Sequence, residues 1–312
     1  MSACVVVTGA AGFLGRHVAR ELAGRGHAVV GLGYDCWDAP GAWEAWGVRH
    51  WRTAAVTLEA LESLAADHGP PAAVIHCAGG SSVGYSIEHP REDFLATVCS
   101  AVDVLEFARR RAPAVQVIYP SSAAVYGASG ALPLHEALAP APISPYGLHK
   151  RMVEDLCRGH GARYGVPSAL VRFFSLYGNG LCKQLLWDAC TKAAAGAFTF
   201  FGTGEEQRDW LHVEDAARLL VLAMDHASAE SPVVNGAAGV GVSIREILTR
   251  LGALLSPPRT PGFSQAAKPG DPSHLVADVA RARAWGFVPQ VALDAGLADY
   301  VRWFNARREE RP

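Results

Sequence analysis

Thr8-Gly-Ala-Ala-Gly-Phe-Leu-Gly15 decides the fold. The run Cys4-Val5-Val6-Val7 before it is short and β-branched, as a buried strand is, and Arg16 to Leu22 after it has helical periodicity. A glycine-rich turn between strand and helix is the setting in which main-chain amides at a helix N-terminus receive a phosphate. Gly9 permits the tight turn, Gly12 lets the main chain approach the phosphates, and Gly15 lets the helix pack on the strand. The amides near Phe13 and Leu14 are then the ones facing the anion. The spacing, Gly-x-x-Gly-x-x-Gly, is one residue longer at its first step than the common dinucleotide fingerprint, and taken alone it also fits an ordinary tight turn.

Outward from that turn, strand-like runs at 4–7, 28–32, 73–77, 115–119 and 168–174 alternate with amphipathic stretches near 13–24, 57–68, 91–111 and 146–164. This order predicts an α/β protein, a Rossmann-type doubly wound parallel sheet with helices on both faces. The rhythm is lost after Phe174, although Pro232-Val-Val-Asn235 reads as one more strand returning to the sheet. The expected division is a dinucleotide-binding domain over 1–175 plus about 212–237, and a smaller discontinuous lobe over 176–211 and 238–312. Within that lobe Ser243-Ile-Arg-Glu246 is a capping box that should start a helix.

Composition excludes several classes. The chain has 312 residues, half of them apolar, and a formal charge of −2, so it offers a large core and no basic field for a nucleic acid. Seven cysteines, odd in number and without a Cys-x-x-Cys pair, read as reduced thiols in a cytosolic protein, with neither a disulfide framework nor a metal site. The first apolar run is too short for a signal peptide and no stretch approaches a membrane span, so the expectation is a soluble cytoplasmic protein.

The chemistry is carried by Ser144-Pro-Tyr146-Gly-Leu-His-Lys150. The proline suits a first helical turn, and the spacing of four puts Tyr146 and Lys150 on one helix face. A phenol, with an ordinary pKa of about 10, needs help to act as a base. A lysine ammonium nearby and the positive nicotinamide of an oxidised cofactor both favour the phenolate. The bland alternative is a partly buried aromatic with an unrelated lysine one turn later. A third element, Tyr119-Pro-Ser-Ser122-Ala-Ala-Val-Tyr-Gly127, follows a strand, where ligands of open α/β sheets sit, and Ser122 is placed to hydrogen-bond both a reacting alcohol and the Tyr146 hydroxyl. No Gly-x-Ser-x-Gly elbow marks Ser122 as a nucleophile.

Taken together these segments resemble the extended short-chain dehydrogenases that act on nucleotide sugars. The likeness includes His76-Cys77-Ala78-Gly79, Arg172-Phe-Phe-Ser-Leu-Tyr-Gly178, Gly202-Thr-Gly-Glu-Glu-Gln-Arg-Asp-Trp-Leu-His-Val213 and Lys268-Pro-Gly-Asp271, and so spans nearly the whole chain. The segment from His76 through Pro90 is most similar to that of UDP-galactose 4-epimerases. Ala123 and Ala124 stand where the dehydratases of the family carry an acidic pair. The resemblance implies a 4-epimerase working through a transient 4-keto sugar on bound NAD, with Tyr146 as base, Ser122 orienting the sugar hydroxyl and Lys150 gripping the nicotinamide ribose. It assigns Cys77, Ala78, Gly79, Thr97 and Phe174 to the cofactor together with the glycine turn. To the substrate it assigns Ser82, Val83, Ser175, Gln184, Phe201, Arg208, Lys268 and Asp271. It also implies a homodimer through the helices near 91–111 and 146–164.

Departures from the family pattern qualify these assignments. The acidic residue that holds the adenosine ribose aligns with Gly33, and Asp35 two residues later is the candidate substitute; with no basic residue adjacent, NAD is favoured over NADP. Thr97 and Ser175 stand where asparagines are usual, and Arg52-Thr53 where an adenine-binding aspartate is expected. Two other functions stay open: a nucleotide-sugar ketoreductase or dehydrogenase that consumes its cofactor, and a non-catalytic dinucleotide sensor.

Overall fold

The computed structural model describes residues 4–34, 37–111, 113–129, 132–265 and 274–309. In chain order the first half comprises β1 (Cys4–Thr8), α1 (Phe13–Gly24), β2 (Ala28–Gly33), β3 (Val48–Thr53), α2 (Leu58–His68), β4 (Ala73–His76), α3 (Val83–Glu88), α4 (Pro90–Phe94), α5 (Ser100–Arg109), β5 (Gln116–Ser122), α6 (Pro145–Tyr164) and β6 (Ser168–Phe173). The second half adds β7 (Ser175–Tyr177), α7 (Gln184–Ala194), β8 (Thr199–Phe200), β9 (Gln207–His212), α8 (Val213–Leu222), β10 (Val233–Gly236), β11 (Gly241–Ser243), α9 (Ile244–Leu254), β12 (Gly262–Phe263), β13 (His274–Leu275), α10 (Ala280–Ala284) and α11 (Leu293–Glu309).

Seven strands form one sheet in the order β10-β6-β5-β4-β1-β2-β3, with every pairing parallel. This is the doubly wound order expected, with the chain reversing direction across the sheet between β1 and β4. The valines of β1 explain its place at the centre. Val5 and Val7 pack into the cluster beneath α1 and α8, while Val6 faces the opposite cluster with Val104, Phe107 and Val153 from α5 and α6. A strand covered on both faces needs a continuous apolar run, which Cys4–Val7 supplies. Pro232–Asn235 does return to the sheet, as β10 beside β6.

Three elements differ from expectation. β3 was absent from the strands read off the sequence because Val48-Arg-His-Trp-Arg-Thr53 has no apolar alternation. It is an edge strand, and Trp51 lies against Gly31 and Gly33 of β2, where a β-carbon on Gly31 would stand 2.8 Å from the indole. The stretch near 91–111 is not one helix: α4 runs through a π-helical turn, Leu95–Cys99, into α5. The run 168–174 likewise divides after Phe173, and β7 leaves to pair with β9 in a separate four-stranded sheet with β11 and β13. Against that second sheet α7, α9 and α11 bury Leu186, Ile247, Leu251, Leu297 and Phe304 in a core of their own. Ser243 caps α9 as its sequence suggests, accepting from Glu246 N at 3.1 Å. Among the described residues no helix is long and apolar enough to cross a membrane, and no cluster of metal-ligating side chains occurs.

Buried polar pairs tie helices to the sheet. Burial opposes ionisation of Glu154 on α6, but Arg172 of β6, at 2.7 and 2.9 Å, and the Ser121 hydroxyl, at 2.6 Å, hold its carboxyl below the usual range. His76 at the end of β4 meets Thr8 Oγ1 at 2.7 Å through Nδ1 and Ser100 Oγ at 3.1 Å through Nε2. Its burial lowers its pKa to about 3. Between the ordinary histidine value near 6.5 and that value the unfolded chain binds a proton that the folded one refuses, so stability falls as pH falls. His76→Asn keeps a polar atom for Thr8 and removes this titration. In urea unfolding between pH 4.5 and 6, the variant is expected to lose about 1.4 kcal/mol less per pH unit than the wild type; parallel curves would contradict the assignment.

Candidate active site

The C-terminal ends of the parallel strands open into one cleft of 970 Å³, walled by Gly9 after β1, Gly33 of β2, Cys77 after β4, Ser122 of β5 and Phe174 after β6. Its floor is the glycine turn. Gly9 has φ +66°, donates to Leu32 O at 2.6 Å, and accepts from Gly12 N at 2.9 Å. A β-carbon on Gly9 would stand 2.8 Å from Ala78 N, and one on Gly15 would run into the Gly9 carbonyl. Gly12 is the N-cap of α1 and offers no side chain to its first-turn amides, so the positive helix end remains available to a ligand. Gly12, Phe13, Leu14 and Gly15 all line the cleft, as do Ala78, Gly79, Ser82, Val83, Ser175 and Gln184.

Tyr146 and Lys150 enter from α6. Ser144 caps this helix, accepting from Gly147 N at 3.1 Å, and Pro145 fills the first turn. Gly147 lets the helix lie on the turn after β5, since a β-carbon there would stand 2.5 Å from Ala124 O. Tyr146 is thereby brought to the same wall of the cleft as Ser122, whose side chain favours the phenolate. Lys150 donates to Pro120 O at 3.0 Å, and its Nζ lies 5.7 Å from the centre of the Tyr146 ring.

Electrostatics here are governed by burial. It pushes the Tyr146 phenol up to about 12, the nearby Ser122 side chain pulls it back, and the Asp93 carboxylate pushes it further. Burial lowers the Lys150 ammonium to about 8, against the pull of Cys77, Asp93 and Glu154. The downward tuning expected of Tyr146 is therefore not delivered by the protein alone. The Cys77 thiol is raised to about 12 by burial and is a wall of the cleft rather than a nucleophile.

Not every candidate from the sequence reaches the cleft wall. Thr97 is buried behind it, its hydroxyl accepting from Gly80 N at 2.8 Å, so it shapes the loop beside the cleft. Phe201 is 57% exposed and Arg208 of β9 donates to Gln207 O at 2.8 Å; neither lines the cleft, although Arg208 is the strand partner of Leu275, which does. Asp35, Lys268 and Asp271 lie outside the described residues. In the other direction, sequence reading missed Tyr34, Ala54, Val56, Ser81, Lys183 and Leu275 on the wall. Lys183, just before α7, donates to Ser81 Oγ at 2.6 Å and so links the two sides of the mouth. The contact joins residues 102 apart in the chain and leaves no local signal.

The cleft suits a dinucleotide: it is 970 Å³ in volume, Gly9, Gly12 and Gly15 keep β-carbons off part of its floor, and a phenol and an ammonium also line it. The family model described as NAD dependent epimerase/dehydratase family matches residues 5–236. The UDP-glucose 4-epimerase of Azospirillum brasilense is 32% identical over 330 residues, covering 96% of this chain and 91% of that protein. A probable UDP-glucuronate 4-epimerase of Rhizobium meliloti is 27% identical over 334 residues, covering 96% of each. The crystal structure of UDP-glucose 4-epimerase from Brucella ovis in complex with NAD is similar at a TM-score of 0.85 and 29% identity, covering 97% of this chain and 98% of that one. With the glycine turn, the strand order and Ser122, Tyr146 and Lys150 meeting at one cleft, the chain belongs to the NAD dependent epimerase/dehydratase family.

Proposed function

We propose that this protein is a nucleotide-sugar 4-epimerase acting on a UDP-hexose through a transient 4-keto sugar. The observation that carries the reading is the meeting of Ser122, Tyr146 and the buried Lys150 on one wall of a cleft floored by glycine, with alanines at 123 and 124. Bound there, NAD would supply a reversible two-electron acceptor for the sugar carbon. Gly9, Gly12, Phe13, Leu14 and Gly15 would hold its pyrophosphate, with Cys77, Ala78, Gly79 and Phe174 along its length and Asp35 at the adenosine ribose.

Tyr146, as the phenolate, takes the proton of the sugar 4-hydroxyl and returns it from the same oxygen, so the phenolate is restored at the end of each cycle. Ser122 orients that hydroxyl, and Lys150 places a positive charge that favours the phenolate before it takes the proton. The methyl groups of Ala123 and Ala124 exchange no proton, which disfavours loss of water from the sugar. Inversion requires the sugar to present its other face while its nucleotide stays anchored. Arg208, Lys268 and Asp271 are assigned to that anchor, and Ser82, Val83, Ser175, Gln184 and Phe201 to the sugar and base. Similarity to proteins named as acting on UDP-glucose and UDP-glucuronate supports a UDP-linked substrate. Half-exposed Leu95, Val102, Leu148 and Met152, on the stretches around α5 and α6, support pairing with a second copy.

The test is incubation of the purified protein and a trace of NAD with UDP-, dTDP-, GDP- and CDP-hexoses, following stereochemistry by NMR and the reduced-nicotinamide absorbance band. Inversion at carbon 4 of a UDP-hexose without net absorbance change is expected. Stoichiometric consumption of NAD, or conversion only with added reduced cofactor, would replace this reading with the dehydrogenase or ketoreductase. Tyr146→Phe is expected to bind NAD as the wild type does and to lower kcat about 10²- to 10⁴-fold; an undiminished kcat would remove Tyr146 as the base.

A further inference from the structure

Three residues from Tyr146 along α6, and next to Lys150, stands His149, 6% exposed and turned toward α4. There its Nδ1 lies 2.6 Å from Oδ2 of Asp93, which is 1% exposed, and its ring meets Phe94 edge-on at 5.4 Å. The other carboxylate oxygen, Oδ1, has no hydrogen-bond partner. It abuts the backbone of the cleft wall: a β-carbon on Gly80 would collide with it. A buried carboxylate with one unsatisfied oxygen is costly, and its field reaches far in a low-dielectric interior.

That field acts on both groups of the site. Asp93 favours the charged ammonium of Lys150, which burial disfavours, and opposes the phenolate of Tyr146. The other groups facing Tyr146 are Ser122 and Tyr119 from β5 and Lys150 on its own helix; Lys150 in turn faces Cys77, His76 and Glu154. Glu154 is already matched by the Arg172 guanidinium, whereas the carboxylate of Asp93 is met by an imidazole. Asp93 thus serves the lysine at the expense of the tyrosine unless its charge is partly withdrawn on the α6 side.

We propose that His149 is a positioning residue that screens Asp93 from the Tyr146 hydroxyl: donating its Nδ1 proton to Oδ2, it holds the carboxylate on the α4 side and draws charge from it. Lys150 then keeps a counter-charge while the field that opposes the Tyr146 phenolate is weakened. The inference rests on Tyr146 being the base.

The test compares the wild type with Asp93→Asn, His149→Ala, His149→Asn and the double variant Asp93→Asn/His149→Ala. Two readouts are used: the pH profile of kcat, and the tyrosinate absorbance of each protein minus that of its Tyr146→Phe counterpart. The limb belonging to the base is expected to move down by about one pH unit in Asp93→Asn and up by a similar amount in His149→Ala. The double variant should follow Asp93→Asn, since with no carboxylate there is nothing to screen. His149→Asn, which restores a donor near the Nδ1 position, should lie near the wild type. A limb unmoved in either single variant, or displaced in the same direction in both, would overturn the proposal and leave the pair a packing contact. If His149→Ala fails to fold, His149→Phe, which keeps the ring and has no proton to donate, takes its place with the same upward shift expected. An active Tyr146→Phe would instead sink the reading of the base, while the absorbance titration, which needs no substrate, would still report the field at Tyr146.

Discussion

The carbonyl oxygen of Gly9 occupies the space in which any side chain on Gly15 would begin. This close approach of turn and helix sets the rest of the molecule. It seats α1 against β1, with Gly12 in the cap position and no side chain to consume the first-turn amides. It also leaves room for Ala78 to lie beside Gly9, so the ends of β1 and β4 form one wall. An anion cradle at the switch point of a parallel sheet is the product of these contacts, and every other functional group is placed relative to it.

The second constraint is the seating of α6. Gly147 rests on the Ala124 carbonyl, Ser86 receives the Tyr146 amide at 3.0 Å, and Glu154 binds Arg172 of β6. These contacts carry the helix across the ends of β5 and β6, so that its first two turns hand a phenol and an ammonium to the cleft. The same burial that orders the two groups works against their charges, and the site is consequently a balance of Ser122, Asp93, Glu154 and Cys77 rather than of Tyr146 and Lys150 alone.

Much of this was legible in the chain itself, for physical reasons. Val5 to Val7, the glycine spacing and the parallel α/β alternation are local patterns, and they foretold the central sheet and the floor of the cleft. Ser122, Tyr146 and Lys150 lie on a strand end and one helix face, where short-range geometry suffices. β3 was not legible because its burial comes from Trp51 filling space left by Gly31 and Gly33 on a neighbouring strand. The Lys183–Ser81 link and the Asp93–His149 pair were invisible because each joins elements distant in sequence. Thr97 was read as touching the cofactor, and the π-helical turn instead spends its hydroxyl on the Gly80 amide.

The central claim is that the glycine turn and α6 hold one ligand between them. A crystal structure of the protein grown with NAD tests it most directly. The account predicts the pyrophosphate within hydrogen-bond distance of the Phe13 and Leu14 amides, and the nicotinamide ring beside Ser122, Tyr146 and Lys150. A dinucleotide bound with its nicotinamide remote from Tyr146, or a turn whose amides face no phosphate, would contradict it.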